Sequence, residues 1–361
     1  MAAKRKTRSS KVKRALKDRT KGAQSSHHDI HPKVLSSKIE RRKIDTTQLN
    51  RGRVTAVEGR RYFVEEIDED SSIRIHTCEP SRSIMTENPD ATLLAVGDIV
   101  WFRAGDESSE DAFDESLGII MLVEERKTRL ARRTAGRGDM EQVIGANVDL
   151  LVIVISVEEP RYKKALIDRY LVAAQKGGLE PAICVNKIDL GDEERVRTDL
   201  RTYSEMLGIP LVLISATHKR NINTLQELVA DKTGIFSGPS GAGKSTIINV
   251  LFDEELQVTA DRKKNWRKGQ HITTFARMFR LPKGGYIMDT PGIREFGIWD
   301  VSKEDLAVYF QEFNDYADDC KYSGCTHTHE PDCAVKDALD SREIDSDRYE
   351  SYVRLLNSLR T

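Results

Sequence analysis

The chain has 361 residues, enough for two or three domains at about 100–200 residues each. With 39% hydrophobic and 32% charged residues, it can form real cores but must also contain strongly polar segments. The longest almost unbroken apolar run, residues 150–157, has about eight residues, whereas a membrane helix needs roughly 20, and no signal-peptide pattern opens the chain. We therefore exclude membrane and secreted proteins, and five cysteines without a disulfide-type spacing favour the reduced cytoplasm.

The first 48 residues differ in charge from the rest. They contain 15 Lys and Arg but 4 Asp and Glu, a net charge of +11, which leaves −12 for the remainder. A basic arm on an acidic body is typical of a protein that binds a polyanion, most often nucleic acid. The alternative is a solubilising tail. Because the arm has no sustained apolar period, we expect residues 1–48 to be mostly disordered.

Residues 49–125 show the alternating pattern of short β-strands. Five such strands are predicted, over residues 52–57, 61–64, 72–76, 96–102 and 117–123. Their spacing favours a small closed barrel of the oligonucleotide-binding (OB) type, although an SH3-like barrel would give a similar pattern. The acidic segment 106–115 reads as a hairpin insertion, and the arginine-rich segment 126–140 as a basic linker.

Residues 141–297 alternate between strands and helices. The run 150–156 is continuously apolar, as in strands buried in parallel sheets. Further predicted strands end at 184–186, span 211–214 and 234–236, and alternate with apolar helical faces. This order predicts an α/β domain with a doubly wound parallel sheet.

A phosphate-binding loop lies between the predicted strand 234–236 and an apolar helix. It has the pattern G-x-x-x-x-G-K-[ST] and consists of Gly238, Pro239, Ser240, Gly241, Ala242, Gly243, Lys244 and Ser245, with Thr246 following. Its backbone N–H groups would surround the β-phosphate at a helix N-terminus. Lys244 would contact the β- and γ-phosphates, and Ser245 would ligate Mg²⁺.

A second motif, Asn186-Lys187-Ile188-Asp189, follows a buried strand. A carboxylate at Asp189 can accept hydrogen bonds from guanine N1–H and the exocyclic amine, which adenine cannot offer. Ser215 and Ala216 follow the next strand and are placed for a backbone contact to guanine O6. The four-residue motif alone also fits a helix-capping turn, but beside a phosphate loop it predicts GTP.

Two segments are candidates for nucleotide-sensing switches. Asp289-Thr290-Pro291-Gly292 follows the predicted strand 286–288, so Asp289 would hold Mg²⁺ through water and the Gly292 N–H would sense the γ-phosphate. The first switch would be Gly269–Thr274. There Thr273 is the preferred second Mg²⁺ hydroxyl, and Thr274 is the alternative.

The position after Gly292 is Ile293, where Ras-like enzymes place a water-orienting glutamine. An aliphatic side chain cannot polarise water, so we expect slow intrinsic hydrolysis and another group that positions the nucleophile. His271 is the candidate, because imidazole suits this role near neutral pH. The alternative is that His271 contacts rRNA or only orders the switch.

The order of these motifs is permuted. The guanine motif, 186–189, precedes the phosphate loop, whereas in ordinary small GTPases it follows it. The same sheet can still assemble if the chain is circularly permuted. The second switch then leads directly into the C-terminal region.

That region, 298–361, contains Cys320, Cys325, His327 and Cys333 within 14 residues. Three thiolates and one imidazole form a closed tetrahedral set for a structural Zn²⁺, with His329 as a substitute for His327. An apolar face on the last predicted helix, from Tyr349 to Leu359, is expected to pack on this module.

These features together resemble the RsgA (YjeQ) family of small-ribosomal-subunit-dependent GTPases over residues 50–361. The most specific are the permuted order and the segments GQHITT, DTPGIREFG and CKYSGCTHTHEPDCAV. The resemblance implies a monomer with an OB-type barrel, a circularly permuted P-loop GTPase domain and a mostly helical zinc module. It implies hydrolysis of GTP to GDP, stimulated by the 30S subunit during its late maturation, with the barrel and zinc module on 16S rRNA. It also supports His271. It assigns no role to residues 1–48 or 106–115.

Two other functions remain open at this point. One is an ATP-dependent kinase or ATPase that uses the same phosphate loop, against which the guanine motif argues. The other is a non-catalytic RNA-binding assembly factor for which GTP is only a structural ligand.

Overall fold

The computed structural model describes residues 45–67, 73–85, 94–105, 117–133, 141–253, 277–281, 283–289 and 301–359. The strands in chain order are β1 Asn50–Glu58, β2 Arg61–Glu66, β3 Ile75–Met85, β4 Ile99–Arg103, β5 Gly118–Val123, β6 Arg129–Arg133, β7 Glu141–Ala146, β8 Leu150–Ser156, β9 Glu180–Asn186, β10 Leu211–Leu213, β11 Thr233–Ser237, β12 Arg277–Arg280 and β13 Tyr286–Asp289.

The α-helices are α1 Lys164–Gly177, α2 Glu193–Asp199, α3 Ile222–Val229, α4 Lys244–Asp253, α5 Ala334–Asp340 and α6 Ser346–Ser358. None of these helices in the described ranges has both the length and the apolar character needed to cross a bilayer.

The α/β region contains a sheet in the order β10-β9-β8-β11-β13, and all four pairings are parallel. All seven residues of β8 are buried, because both faces of a central parallel strand are covered by helices. Leu151, Ile153 and Ile155 of β8 face the core that includes α1. The intervening Leu150, Val152 and Val154 face the core of α3 and α4. The predicted doubly wound sheet is confirmed.

The N-terminal strands close into a five-stranded barrel in the order β1-β2-β3-β5-β4, completed by pairing of β4 with β1. Only β3 and β5 pair in parallel among these strands. This is the OB arrangement, so the first of the two predicted barrels is correct. Its interior is apolar and contains Val54, Val64, Val100, Phe102 and Ile120. The third strand begins later than predicted, at Ile75.

The segment predicted as a basic linker, 126–140, contains strand β6, which pairs antiparallel with β7. Leu130 of β6 is 1% exposed and joins the core around α1. Three of the five residues of this strand are arginines, so its sequence shows no recognisable alternation of apolar and polar residues and suggested a connector.

The helix that follows β9 is short. Helix α2 ends at Asp199, and a π-helical turn follows at Thr202–Met206. The turn directs Tyr203 inward, where its hydroxyl donates to Asp168 at 2.7 Å.

The barrel strands and the parallel sheet belong to one continuous sheet, because β1 pairs with β12. Side chains reinforce the junction. The Arg53 guanidinium donates to Thr233 at 3.1 Å and lies 4.7 Å from the centroid of the Tyr286 ring. The Tyr286 hydroxyl donates to Glu65 at 2.9 Å. The barrel therefore contacts both β11 and β13 of the parallel sheet.

The C-terminal module packs on α1 around a buried charge network. Its apolar core includes Val172 of α1. Arg348 of α6, only 2% exposed, donates to Asp168 of α1 and to Glu312, each at 2.7 Å. Helix α1 is thus enclosed between the parallel sheet on one side and the C-terminal module on the other.

Candidate nucleotide site and metal cluster

The phosphate loop connects β11 to α4, and its glycines are required by close packing. A Cβ on Gly238 would lie 1.9 Å from the carbonyl oxygen of Val154 in β8. Gly243 has φ +91°, and a Cβ there would lie 2.3 Å from the Asn186 amide nitrogen. The loop is therefore fitted against the ends of β8 and β9 in a backbone conformation that L-residues avoid.

Lys244 is the first residue of α4, and its ammonium group points back over the loop. Its Nζ donates to the carbonyls of Gly238 at 2.7 Å and Pro239 at 2.9 Å. Ser245 and Thr246 are exposed in the first turn of the ten-residue helix. Unpaired N–H groups and the helix dipole favour an anion at such an end.

Asn186 joins the loops of the site. It is 3% exposed; its Nδ2 donates to the Ala242 carbonyl, and its Oδ1 accepts from the Ala216 N–H, both at 3.0 Å. The side chain thus connects the phosphate loop to the Ser215–Ala216 segment. Predicted as a nucleotide-binding residue, Asn186 uses its amide to hold the loops at one edge of the sheet.

The guanine motif continues from β9 along the same edge. Lys187 has a left-handed backbone, φ 61° and ψ 36°, and its ammonium donates to the Glu159 carbonyl. The Asp189 side chain is 27% exposed. A hydrogen bond from the Ser215 hydroxyl lowers the pKa of Asp189. The group is therefore an ionised acceptor near neutral pH, as recognition of guanine N–H groups requires.

Several predicted residues lie outside the described part of the chain. These are His271, Thr273, Thr274, Gly292 and Ile293. Asp289 is the last residue of β13, and only its backbone is described. Because β13 pairs in parallel with β11, this backbone ends at the same edge of the sheet from which the phosphate loop leaves.

Four predicted metal ligands converge in the C-terminal module. The ligand atoms of Cys320, Cys325, His327 and Cys333 all lie within 4.8 Å of one another. The Sγ atoms of Cys320 and Cys333 are 3.8 Å apart, and tetrahedral bonds of about 2.3 Å imply sulfur separations of about 3.8 Å. The cluster could therefore hold a metal ion such as zinc. His329 is outside it, with a side chain 83% exposed.

The surroundings of the cluster favour a cation. Burial raises the pKa of Cys325 to about 12, and the neighbouring thiols act in the same direction. A bound metal ion deprotonates a coordinating thiol, which offsets the raised pKa of Cys325. The donor set therefore fits a metal, and His327 turns its Nδ1 toward it, 3.6 Å from Cys320 and 3.5 Å from Cys333.

One supporting residue was not found by sequence analysis. The Glu330 carboxylate accepts from the N–H groups of Thr326 at 2.9 Å and Thr328 at 3.1 Å. Burial opposes its ionisation, but a hydrogen bond from the Thr326 hydroxyl at 2.7 Å, together with these two bonds, lowers the pKa of Glu330 to about 2. The Tyr349 hydroxyl donates to the His327 carbonyl at 2.7 Å, as expected for a last helix that packs on the module. Only the fold of this turn reveals the role of Glu330.

Comparisons with known proteins agree with this architecture. The model of the RsgA GTPase family matches residues 123–299. The small ribosomal subunit biogenesis GTPase RsgA of Chlorobaculum parvum is 44% identical over 312 residues, which are 85% of this chain and 97% of that protein. The chain belongs to the RsgA GTPase family. The Klebsiella pneumoniae member is 32% identical over 94% of both chains.

Solved structures of RsgA-type proteins extend the comparison to the fold. YjeQ from Thermotoga maritima aligns with a TM-score of 0.65 at 29% identity, over 86% of this chain and all of that one. YloQ, described as a circularly permuted GTPase, aligns with a TM-score of 0.63 at 27% identity, over 88% and 96%. The predicted family and the predicted permuted, multidomain fold of this RsgA-family chain are thus confirmed.

Proposed function

We propose that this chain is a GTP hydrolase that acts in the biogenesis of the small ribosomal subunit. The observation that carries the proposal is the Asn186 side chain, which bonds the phosphate loop at Ala242 and the base-side loop at Ala216. The phosphates and the guanine base lie at opposite ends of GTP. The Asn186 side chain holds the two loops that would bind these ends at one edge of the sheet. The names of the relatives support the ribosomal role.

The nucleotide would lie along this edge with its phosphates in the loop 238–245. Lys244 contacts the β- and γ-phosphates, and Ser245 and Thr273 supply hydroxyls for Mg²⁺, with Asp289 acting through water. At the other end Asp189 accepts from guanine. The remaining contacts of the site come from Lys187, Ser215, Ala216, Thr246 and the N–H of Gly292.

His271 is the proposed residue that positions the attacking water. Ile293, which follows Gly292, cannot do so, because an aliphatic side chain forms no hydrogen bond. The family resemblance supports His271, and a histidine can hold water near neutral pH.

The proposed organisation is a basic arm, 1–48, a barrel, 49–125, a connecting segment, 126–140, a GTPase domain, 141–297, and a zinc module, 298–361. The barrel and the zinc module would contact 16S rRNA, and the protein would act as a cytoplasmic monomer. GTP orders both switches in this scheme, and hydrolysis releases the geometry that they hold.

Zinc would stabilise the C-terminal module. We expect purified protein to contain about one Zn²⁺ per chain. Cys325→Ser should lower the zinc content and the thermal stability of the protein, because one of four ligands is lost, whereas Cys78→Ala in the barrel should leave the zinc content unchanged. The measurement is metal analysis by mass spectrometry combined with thermal denaturation. A zinc-free protein of unchanged stability would contradict this role.

The test of the proposed function is GTP hydrolysis by the purified protein alone, with 30S subunits and with 50S subunits. We expect slow hydrolysis alone and at least about a tenfold increase with 30S only, since the activating geometry is supplied in trans. Equal, slow rates in all three samples would contradict stimulation by the subunit. Negligible turnover with tight GTP binding would instead favour a non-catalytic, GTP-liganded assembly factor.

A further inference from the structure

We propose that His218 is a positioning residue for guanine recognition, which holds the Ser215 hydroxyl beside Asp189. The inference rests on the proposed function, because it takes Asp189 as the group that reads the base. It adds a residue that neither the guanine motif nor the phosphate loop contains.

The contacts centre on the Ser215 hydroxyl, which belongs to a fully buried residue. Its Oγ lies 3.0 Å from His218 Nδ1 and accepts the backbone N–H of His218 at 3.3 Å. The same imidazole nitrogen lies 3.6 Å from Asp189 Oδ2, and Ser215 is the main influence that lowers the pKa of Asp189. The hydroxyl, the imidazole and the carboxylate therefore form one cluster.

A count of protons limits the direction of these bonds. A serine hydroxyl has one hydrogen to donate and two lone pairs to accept. Asp189 is ionised and can only accept, so a proton directed at it comes from the Ser215 hydroxyl or from Nδ1 of His218. In the proposed arrangement Ser215 directs its O–H at Asp189, and Nδ1 of His218 carries a proton and donates to Ser215. The two lone pairs receive the N–H and the Nδ1–H of one residue, His218, and the hydroxyl has no freedom to turn away from Asp189.

The loop that carries His218 is itself held in place. Ser215 and Arg220 form an isolated antiparallel bridge, with N···O distances of 3.2 and 3.0 Å. Arg220 also forms an ion pair with Glu193 of α2 at 2.6 Å. The tight turn between them places His218 Nδ1 3.6 Å from Asp189 Oδ2. The imidazole thus faces the carboxylate as well as the hydroxyl.

The expected consequence concerns base specificity rather than stability. Asp189 must be oriented so that one carboxylate oxygen accepts N1–H of guanine and the other accepts its exocyclic amine. Hypoxanthine, the base of inosine triphosphate, offers N1–H alone. A carboxylate free to rotate loses the second bond first. The loss of this second bond should weaken GTP binding about five- to tenfold. It should weaken the binding of inosine triphosphate less than about twofold.

The experiment is titration calorimetry of the full-length protein with GTP, inosine triphosphate and ATP. The variants are His218→Ala, which removes the imidazole, and His218→Asn, whose amide N–H takes the place of Nδ1–H. Thr217→Ala, an exposed neighbour in the same loop, is the matched control. We expect the ratio of GTP to inosine triphosphate affinity to fall in His218→Ala and to return to within about twofold of wild type in His218→Asn.

An unchanged ratio in His218→Ala, or an equal loss in Thr217→Ala, would overturn the inference and leave the proposed function intact. Failure of His218→Asn to restore the ratio would overturn the Nδ1 donor role. If the wild-type protein binds ATP as well as GTP, the guanine site itself is wrong, and the inference fails with it.

Discussion

Replacing Lys244 by alanine should reduce the rate of GTP hydrolysis, measured as phosphate release, by at least about a hundredfold. The ammonium group lies over the phosphate loop, bonded to the carbonyls of Gly238 and Pro239. A phosphoryl-transfer transition state accumulates negative charge there, and removing one preorganised donor typically costs about 10²–10³ in rate.

Lys232→Ala is the control for this prediction. Lys232 immediately precedes β11, at the opposite end of the strand from the phosphate loop, and pairs with Glu180 at 2.7 Å. Because this ion pair is solvent-exposed, its loss should change the rate of hydrolysis less than about twofold. A Lys244→Ala variant within about threefold of wild type would show that the loop does not act on the transferred phosphate.

Replacing Arg348 by methionine should lower the free energy of unfolding of the C-terminal module by about 3–5 kcal/mol. Arg348 is 2% exposed and bonds Asp168, which is 0% exposed, and Glu312. Methionine fills much of the volume but leaves the Asp168 carboxylate buried without its cation. The cost is the desolvation of that unpaired charge.

The measurement is urea denaturation of the zinc-loaded protein, followed by circular dichroism and by release of zinc to a chromogenic chelator. Arg354→Ala on the same helix is the control, because Arg354 pairs with Glu350 at the surface and should contribute less than about 0.5 kcal/mol. If both variants unfold alike, the buried pair does not anchor the module to α1.

Sequence analysis found the features that are local in the chain. The phosphate loop needs glycines at Gly238 and Gly243 because a Cβ at either position would collide with a neighbouring residue. This requirement fixes the spacing of the two glycines, which is recognisable in the sequence. The four ligands of the Cys3His cluster likewise lie within one short segment and meet as predicted. The central strand β8 was evident because both of its faces are covered.

Other features depend on residues far apart in the chain. Arg348 and Asp168 are 180 positions apart, and each alone reads as an ordinary charged residue on a helix. Strand β6 has the sequence RLARR, which shows no apolar alternation, so its pairing with β7 could not be inferred. The roles of His218 and Glu330 depend on turns whose geometry no periodic pattern encodes.

The junction between barrel and parallel sheet has a mechanical consequence. Strand β1 pairs with β12 at Ala56 and Arg277, and β12 pairs with β13, so the barrel is connected through the sheet to the strand that ends at Asp289. Glu65 holds the Tyr286 hydroxyl and lies 3.7 Å from Arg280, which adds lateral stiffness. We expect a displacement of the barrel along its strands to be transmitted as shear to β12 and β13, the strands next to the two predicted switch segments. The barrel is therefore coupled mechanically to the predicted nucleotide site. A partner that binds and moves the barrel would also apply force to that site.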